Sequence, residues 1–532
     1  MALPGCLSCI RKAIRLLCIA HPFGPNRDGT QSIPTEPMAK NGKPTCPQHF
    51  DVLIVGAGIS GIGAAYHLSK QCPGKSFVVL DMQGSFGGTW WTHRYPGIRS
   101  DSDLHTFGYR FKPWRGPPIA TAAEILAYMG EVIEENDLAR HIRYRHKILS
   151  ARWASEVQCW TIEAVRNDTG ETLTFTANFL WMCQGYYRHF QGYMPAWPGT
   201  ETFKGTLVHS ETWPEDLDFA GKKVVVIGSG ATAATIIPAI AERCGQVTML
   251  QRSPTFFITG RNAIELAETL RQLQVDEGWI HEIVRRKILF DQATFTRRCV
   301  EEPEVVSKEL IGVIRNLLGA DYDVEAHFTP SYRPWRQRIA FVPDADLFKC
   351  IASGKASVVT DEIERFNATG ILLKSAKQLD ADIIVAATGF NISVLGDIDF
   401  VIDGKQLQFA DTVTYRGMMF TGIPNLAWVF GYFRASWTLR SDLVADFVCR
   451  LLKHMDTTGA KSVTVALRPE DQDMGLLPWI DLENFNPGYI TRSIHLLPKR
   501  GDKPEWQHNQ DYWSEKDQFP AIDLRDRAFI YG

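Results

Sequence analysis

Two short runs of the chain each set a buried-strand pattern directly before a glycine turn and a helix pattern directly after it. This order constrains the fold more than any other feature. The first run, FDVLIVGAGISGIGAAYHL from Phe50, is apolar to Val55, then carries Gly56, Gly58 and Gly61 as GxGxxG, then reads as helix through Ala64 to Leu68. The second, GKKVVVIGSGATAATIIPAI from Gly221, carries Gly228, Gly230 and Ala233 as GxGxxA in the same strand–turn–helix order. Glycines at these spacings let the backbone turn tightly and approach a pyrophosphate, whose charge then sits at the helix N-terminus.

The strand that follows each turn decides what the turn serves. After the first, SFVVLD ends in Asp81, twenty residues beyond Gly61, where a carboxylate accepts hydrogen bonds from a ribose. After the second, QVTMLQRS ends in Gln251, Arg252 and Ser253. A carboxylate there would repel a 2′-phosphate, whereas Arg252 can pair with it, so this turn favours NADP over NAD. Two dinucleotide turns imply a hydride donor and a hydride acceptor, with FAD expected on the N-terminal turn. A further strand pattern, Ala381 to Phe390, predicts the return of the chain to the first unit. The expected fold is α/β: two Rossmann-like dinucleotide-binding domains with the NADP domain inserted into the FAD domain. The boundaries read as 1–48 flexible extension, 49–190 FAD-binding, 191–370 NADP-binding, and 371–532 FAD-domain return with a helical, substrate-facing portion.

The bulk numbers agree with a soluble, multi-domain chain. Its 532 residues exceed one ordinary domain, and 22% charged with 45% apolar residues is neither disordered nor membrane-spanning. A formal charge of -3 offers nucleic acid no electrostatic footprint. The 11 cysteines are scattered, which points to a reducing compartment and a cytoplasmic location. Cys6 and Cys9 form a lone CxxC without a second ligand pair, so no metal is expected. The first 20 residues carry Arg11, Lys12 and Arg15 with Leu7, Ile10, Ile14 and Leu17 at helical spacing. That pattern suits an amphipathic membrane-surface helix, an organellar transit peptide, a lipidated tail or a dispensable extension.

Between the turns stands GGTWWTHRYPGIRSD, in which Gly88, Trp90, Tyr95, Pro96, Gly97 and Asp101 match the pattern [AG]GxWxxxx[FY]P[GM]xxxD. Ahead of the second turn, Phe203, Gly205, His209, Trp213 and Pro214 match FxGxxxHxxxWP. Through these two patterns the chain resembles the Baeyer–Villiger monooxygenases, from about Phe50 to beyond Asn509, and is most similar to their ethionamide-activating branch. Related N- and S-oxygenases usually end the second pattern in Tyr or Phe, so Trp213–Pro214 tilts the resemblance.

The resemblance implies that NADPH reduces FAD, that oxygen adds at flavin C4a, and that the resulting peroxide attacks a ketone carbonyl to give an ester or lactone. The family's arginine that steadies the developing oxyanion falls on Arg338, in PWRQRIAFVPDADLF, and its carboxylate partner on Asp101. His209 is implied to act on interdomain rearrangement and NADPH use. Ser60, Asp81, Thr89, Trp90, Trp91, Asp101 and the backbone at Ile148 would line the FAD side. Arg99, Ser100, Asp101, the turn Gly228, Ser229, Gly230, Ala231, Thr232, Ala233 and Ala234, then Arg252, Ser253 and Trp437, would meet the nicotinamide dinucleotide. Two departures stand out: Gln337 replaces the Lys that many relatives carry before the arginine, and Asp81 replaces the commoner Glu.

Epoxidation or N- or S-oxygenation by the same peroxide is the nearest alternative, and a tailoring step of secondary metabolism suits any of these reactions. A noncatalytic flavin-binding scaffold is a more distant alternative. A two-dinucleotide disulfide reductase is excluded by the absence of a CxxxxC after the first turn.

Overall fold

The computed structural model describes Pro47–Gly532; the N-terminal tail, with its CxxC and amphipathic pattern, lies outside the described residues. The first glycine run forms the strand Gln48–Val55 and the helix Ile59–Gln71. Gln48–Val55 is an inner strand of a nine-stranded sheet, pairing in parallel with Phe77–Leu80 on one side and Thr172–Met182 on the other. Thr172–Met182 is long enough to serve three neighbours, and also joins an antiparallel meander with Cys159–Arg166 and His146–Ala154. Leu426–Trp428 adds to it in parallel, and Asp399–Ile402 extends the far edge beyond His146–Ala154.

The second run forms the strand Lys223–Ile227 and the helix Ala231–Ile240 within a separate five-stranded sheet. Its order is Ala356–Thr360, Gln246–Gln251, Lys223–Ile227, Ile383–Ala386, Thr206–His209, and every pairing is parallel. The near-continuous apolar runs follow from this, because a parallel sheet is covered on both faces. Here one sequence expectation is corrected. Ile383–Ala386 lies between Lys223–Ile227 and Thr206–His209, so the segment from Ala381 completes the second sheet. The chain rejoins the first sheet only at Asp399–Ile402.

The segment Phe203–Pro214 supplies the edge strand Thr206–His209 and one tight turn, Ser210–Thr212. Gly192 is required beside it, since a Cβ there would lie 1.9 Å from Cε1 of His209. Glu211, two residues on, is buried, and neither carboxylate oxygen has a hydrogen-bond partner among the described residues. Burial alone pushes its pKa from 4.5 up to about 8.

The helix Ile59–Gln71 packs along the long helix Trp437–Thr458. Across this seam His67 Nε2 lies 3.2 Å from Asp442 Oδ1, and Nδ1 lies 3.4 Å from Asp446 Oδ1. Asp442 and Asp446 are four residues apart, hence on one face of their helix. Burial works to lower the pKa of His67, but the hydrogen bonds and charges of Asp442 and Asp446 outweigh it and raise the value to about 9. No helix among the described residues is long and apolar enough to cross a membrane.

Both groups have a raised pKa, so the stability tied to each falls as pH rises, but removing them has opposite effects: His67 loses a favourable charged pair, Glu211 a buried group that is costly to ionise. The charged His67 adds stability that is complete below about pH 6.5 and is lost as pH rises through about 9, at most roughly 3 kcal/mol. His67→Gln should therefore lower Tm at mildly acidic pH and match the parent in strong alkali; a pH-independent gap in Tm would refute the assignment. Glu211 binds its proton more tightly when folded, so its burial leaves stability intact below about pH 4.5 and drains it as pH rises toward about 8. Glu211→Gln should open a Tm advantage across that interval that then levels off, measured by differential scanning calorimetry.

Candidate active site

One cavity of about 1150 Å³ runs between the two glycine turns. Gly58 and Gly230, the residues before the two helices, both line it, and neither helix has a side-chain cap on its first amides. Uncapped amides at a helix N-terminus are donors for phosphate oxygens, so each turn fits a pyrophosphate. Gly61 keeps the first turn tight: a Cβ there would stand 1.8 Å from the carbonyl oxygen of Gly56. Asp81, at the end of Phe77–Leu80, accepts from the amides of Ala57 at 2.6 Å and Gln83 at 2.7 Å and lines the same cavity. Burial raises its pKa and the two amides work against that rise.

Arg338 and Asp101 meet in this cavity. Arg338 Nη2 donates to Asp101 Oδ2 at 3.0 Å, although 237 residues separate them. Asp101 comes from the segment after the first turn; Arg338 comes from the loop before the strand Ala340–Pro343. The carboxylate of Asp101, ahead of the opposing effect of burial, raises the pKa of Arg338, so its charge is permanent. Tyr186, Tyr187 and Tyr489 stand around the guanidinium, with the hydroxyls of Tyr186 and Tyr187 2.6 Å apart. The sequence reading missed this tyrosine group; the only hint was the run GYYR directly after a buried strand.

Other expected residues sort by position. Ser60, Thr89, Trp90, Arg99, Ser100, Ile148, Ser229, Ala231, Thr232, Arg252, Ser253 and Trp437 all line the cavity with those already named. Trp437 is expected on the nicotinamide side; its Nε1 donates to Ser60 Oγ at 2.7 Å, at the first turn, and its ring stacks on Tyr186. Arg99 is engaged twice by Asp346, at 2.5 and 3.1 Å. Arg252 is exposed and has no hydrogen bond or ion pair among the described residues.

Gly61, Trp91, Ala233, Ala234 and His209 do not line the cavity. Ala233 and Ala234 are core residues of the second sheet, and Trp91 lies under the guanidinium of Arg94. His209 sits behind the wall, its Nδ1 accepting from the Glu211 amide at 3.2 Å and its Nε2 without a partner among the described residues. His93 and His189 line the cavity near it; burial, then their mutual charge and that of His209, lowers His93 to about 3, so it is neutral.

The chain was compared with known proteins. Residues 54–115 match the model of an NAD(P)-binding Rossmann-like domain, and residues 114–266 that of the flavin-binding monooxygenase-like family. The FAD-containing monooxygenase EthA of Mycobacterium tuberculosis is 46% identical over 467 residues, covering 87% of this chain and 94% of that protein. A probable FAD-binding monooxygenase, AlmA, of an Acinetobacter species is 42% identical, covering 91% of this chain and 96% of its own. Among solved structures, a steroid monooxygenase bound to NADP aligns with TM-score 0.71 at 23% identity, over 91% of this chain and 99% of its own. A polycyclic ketone monooxygenase of Thermothelomyces thermophila aligns with TM-score 0.74 at 18% identity, over 92% of this chain and 91% of its own, so the fold is shared. With relatives this similar along nearly their whole length, the chain belongs to the family of FAD-containing monooxygenases.

Proposed function

We propose that the protein is an NADPH- and O2-dependent Baeyer–Villiger monooxygenase that converts a ketone into an ester or lactone. The observation that carries this reading is the Arg338–Asp101 pair, a permanent cation held in the cavity that both glycine turns share. In balance, ketone, O2, NADPH and one proton give ester, water and NADP⁺. Bound FAD supplies the electron transfer from NADPH and the activation of oxygen.

The chain's own residues do the rest. The first turn and Asp81 hold the flavin dinucleotide by pyrophosphate and ribose; the second turn holds that of NADP, with Arg252 on the 2′-phosphate. Arg338 stands ready to meet the negative charge that grows on the carbonyl oxygen during attack. It cannot act as an acid at any ordinary pH, so it works as an electrostatic clamp, worth most where water is excluded. Asp101 fixes the direction of the guanidinium and partly offsets its charge before substrate arrives. The aromatic side chains of Tyr186 and Trp437, stacked at 5.4 Å, shelter the first turn from solvent.

Arg338→Ala should leave reduction of bound flavin by NADPH intact and cut ester formation by about a hundredfold to a thousandfold, with NADPH oxidation diverted to hydrogen peroxide. Product formation at the parent rate would overturn the clamp, and a thioether or alkene oxygenated in preference to every ketone tried would replace the reaction. Arg252→Ala should raise KM for NADPH by about tenfold while leaving NADH nearly unchanged. Equal losses with both nucleotides would show that Arg252 does not read the 2′-phosphate.

A further inference from the structure

A second cavity, of about 790 Å³, lies beside the first, and none of the residues assigned above lines it. The long helix Glu277–Glu301 forms one wall, and segments 479–485 and 507–513 form the other. Phe433, Phe485, Trp479 and Trp513 make much of the lining aromatic. The two cavities share one stretch of chain: Tyr432 and Trp437 line the first, Phe433 and Arg434 line the second, and Ala435 lines both. The two cavities thus meet at Ala435, whose side chain is a single methyl group.

Charge sets the second cavity apart. Arg434 Nη2 donates to the carbonyl oxygens of Trp335 at 3.0 Å and Asn484 at 2.7 Å, while its Nη1 and Nε make no hydrogen bond among the described residues. Arg333 converges on the same Asn484, so two guanidiniums meet there with no carboxylate within ion-pair distance of either among the described residues. Among the described residues the Arg500 side chain, also in the lining, has only the Pro478 carbonyl as partner, and Arg297 reaches no carboxylate closer than exposed Glu301 at 3.9 Å.

The opposing acids are Asp481 and Asp511. Asp481 accepts from the Glu483 amide, and Asp511 is taken up as the cap of the helix Tyr512–Gln518. His508 is buried and, held far below its ordinary pKa, stays neutral. Burial, then the charge of Arg333, lowers Arg434 to about 10 against the smaller opposing effect of Asp481, which makes no ion pair with it, so Arg434 is still charged at neutral pH. A half-buried guanidinium with free donors pairs best with a planar, bidentate carboxylate.

We infer that the second cavity binds the acidic end of the substrate: the enzyme takes ketones that carry a carboxylate, held by Arg434, with the carbonyl reaching Arg338 past Ala435. This rests on the role given to Arg338 above. It makes Arg434 a specificity-determining residue and keto acids with an aromatic or alkyl body the substrate class.

The test compares γ-benzoylbutyrate with its methyl ester, which has the same ketone without the charge, on the FAD-loaded enzyme. The acid should exceed the ester in kcat/KM by about tenfold, through KM, and should bind the oxidised holoenzyme about tenfold more tightly in titration calorimetry without NADPH. Arg434→Gln should bring both ratios to about one, and Arg434→Lys should restore part of each. A merely structural arginine would depress acid and ester alike and leave their ratio untouched. Equal affinity for acid and ester in the parent, or a ratio that survives Arg434→Gln, would overturn the inference. Arg434-dependent binding of the acid with no oxygenated product from either compound would instead retire the ketone reading and leave the anion site standing.

Discussion

The site depends on two ion pairs made by residues two apart in the chain. Arg99 binds Asp346 and Asp101 binds Arg338, so the segment after the first glycine turn is fastened twice to the part of the chain that frames the second sheet. Taking such charges partly out of water is costly unless each finds a partner, and removing one partner leaves the other stranded. Opposite signs at Arg99 and Asp101 mean that neither can accept the other's partner. The register of this segment against the second sheet is thus specified by charge as well as by packing, and the cavity between the two glycine turns keeps its width.

How much of this was legible in the sequence varies with the range of the interaction. Each glycine turn announces itself because strand, turn and helix are contiguous and the steric demand is local, as at Gly61. Asp81 and Arg252 are legible for the same reason, each closing the strand next along. Arg338 and Asp101 became partners through a resemblance, since no periodicity links residues 237 apart. The strand Ile383–Ala386 was assigned to the wrong sheet because a fully buried parallel strand looks the same whichever sheet receives it. The tyrosines around Arg338 were invisible: Tyr186 and Tyr187 are adjacent, but Tyr489 arrives on the distant short helix Gly488–Ser493, and only the folded chain brings all three around the guanidinium.

His209 shows a subtler limit. Its place in a fingerprint invites a catalytic role, yet it lies behind the cavity wall, wedged against Gly192 beside the buried Glu211. A neutral carboxyl and neutral imidazoles can share a dry region that their charged forms could not. The segment is then held by shape and by the low polarity of its surroundings, which suits a joint between two sheets better than a proton-transfer group. A residue can therefore be demanded by the pattern of a family while standing outside the lining of the cavity.

The stretch Tyr432–Trp437 unites these elements. On one side Tyr432 donates to Glu515, whose carboxylate is bound by fully buried Arg440, and Arg440 also holds the Phe430 carbonyl. On the other side Arg434 holds the carbonyl of Trp335, three residues before Arg338, and Trp437 reaches across to Ser60 at the first glycine turn. One short run of backbone thus touches the flavin-side turn, the loop of the clamp arginine and the wall of the neighbouring cavity. A buried ion pair such as Arg440–Glu515 adds little net stability over a well-packed apolar core, but breaking it is expensive, so it locks one arrangement of its neighbours. Among the described residues Ala435 alone lines both cavities, so a keto acid held by Arg434 would reach toward Arg338 past its methyl group.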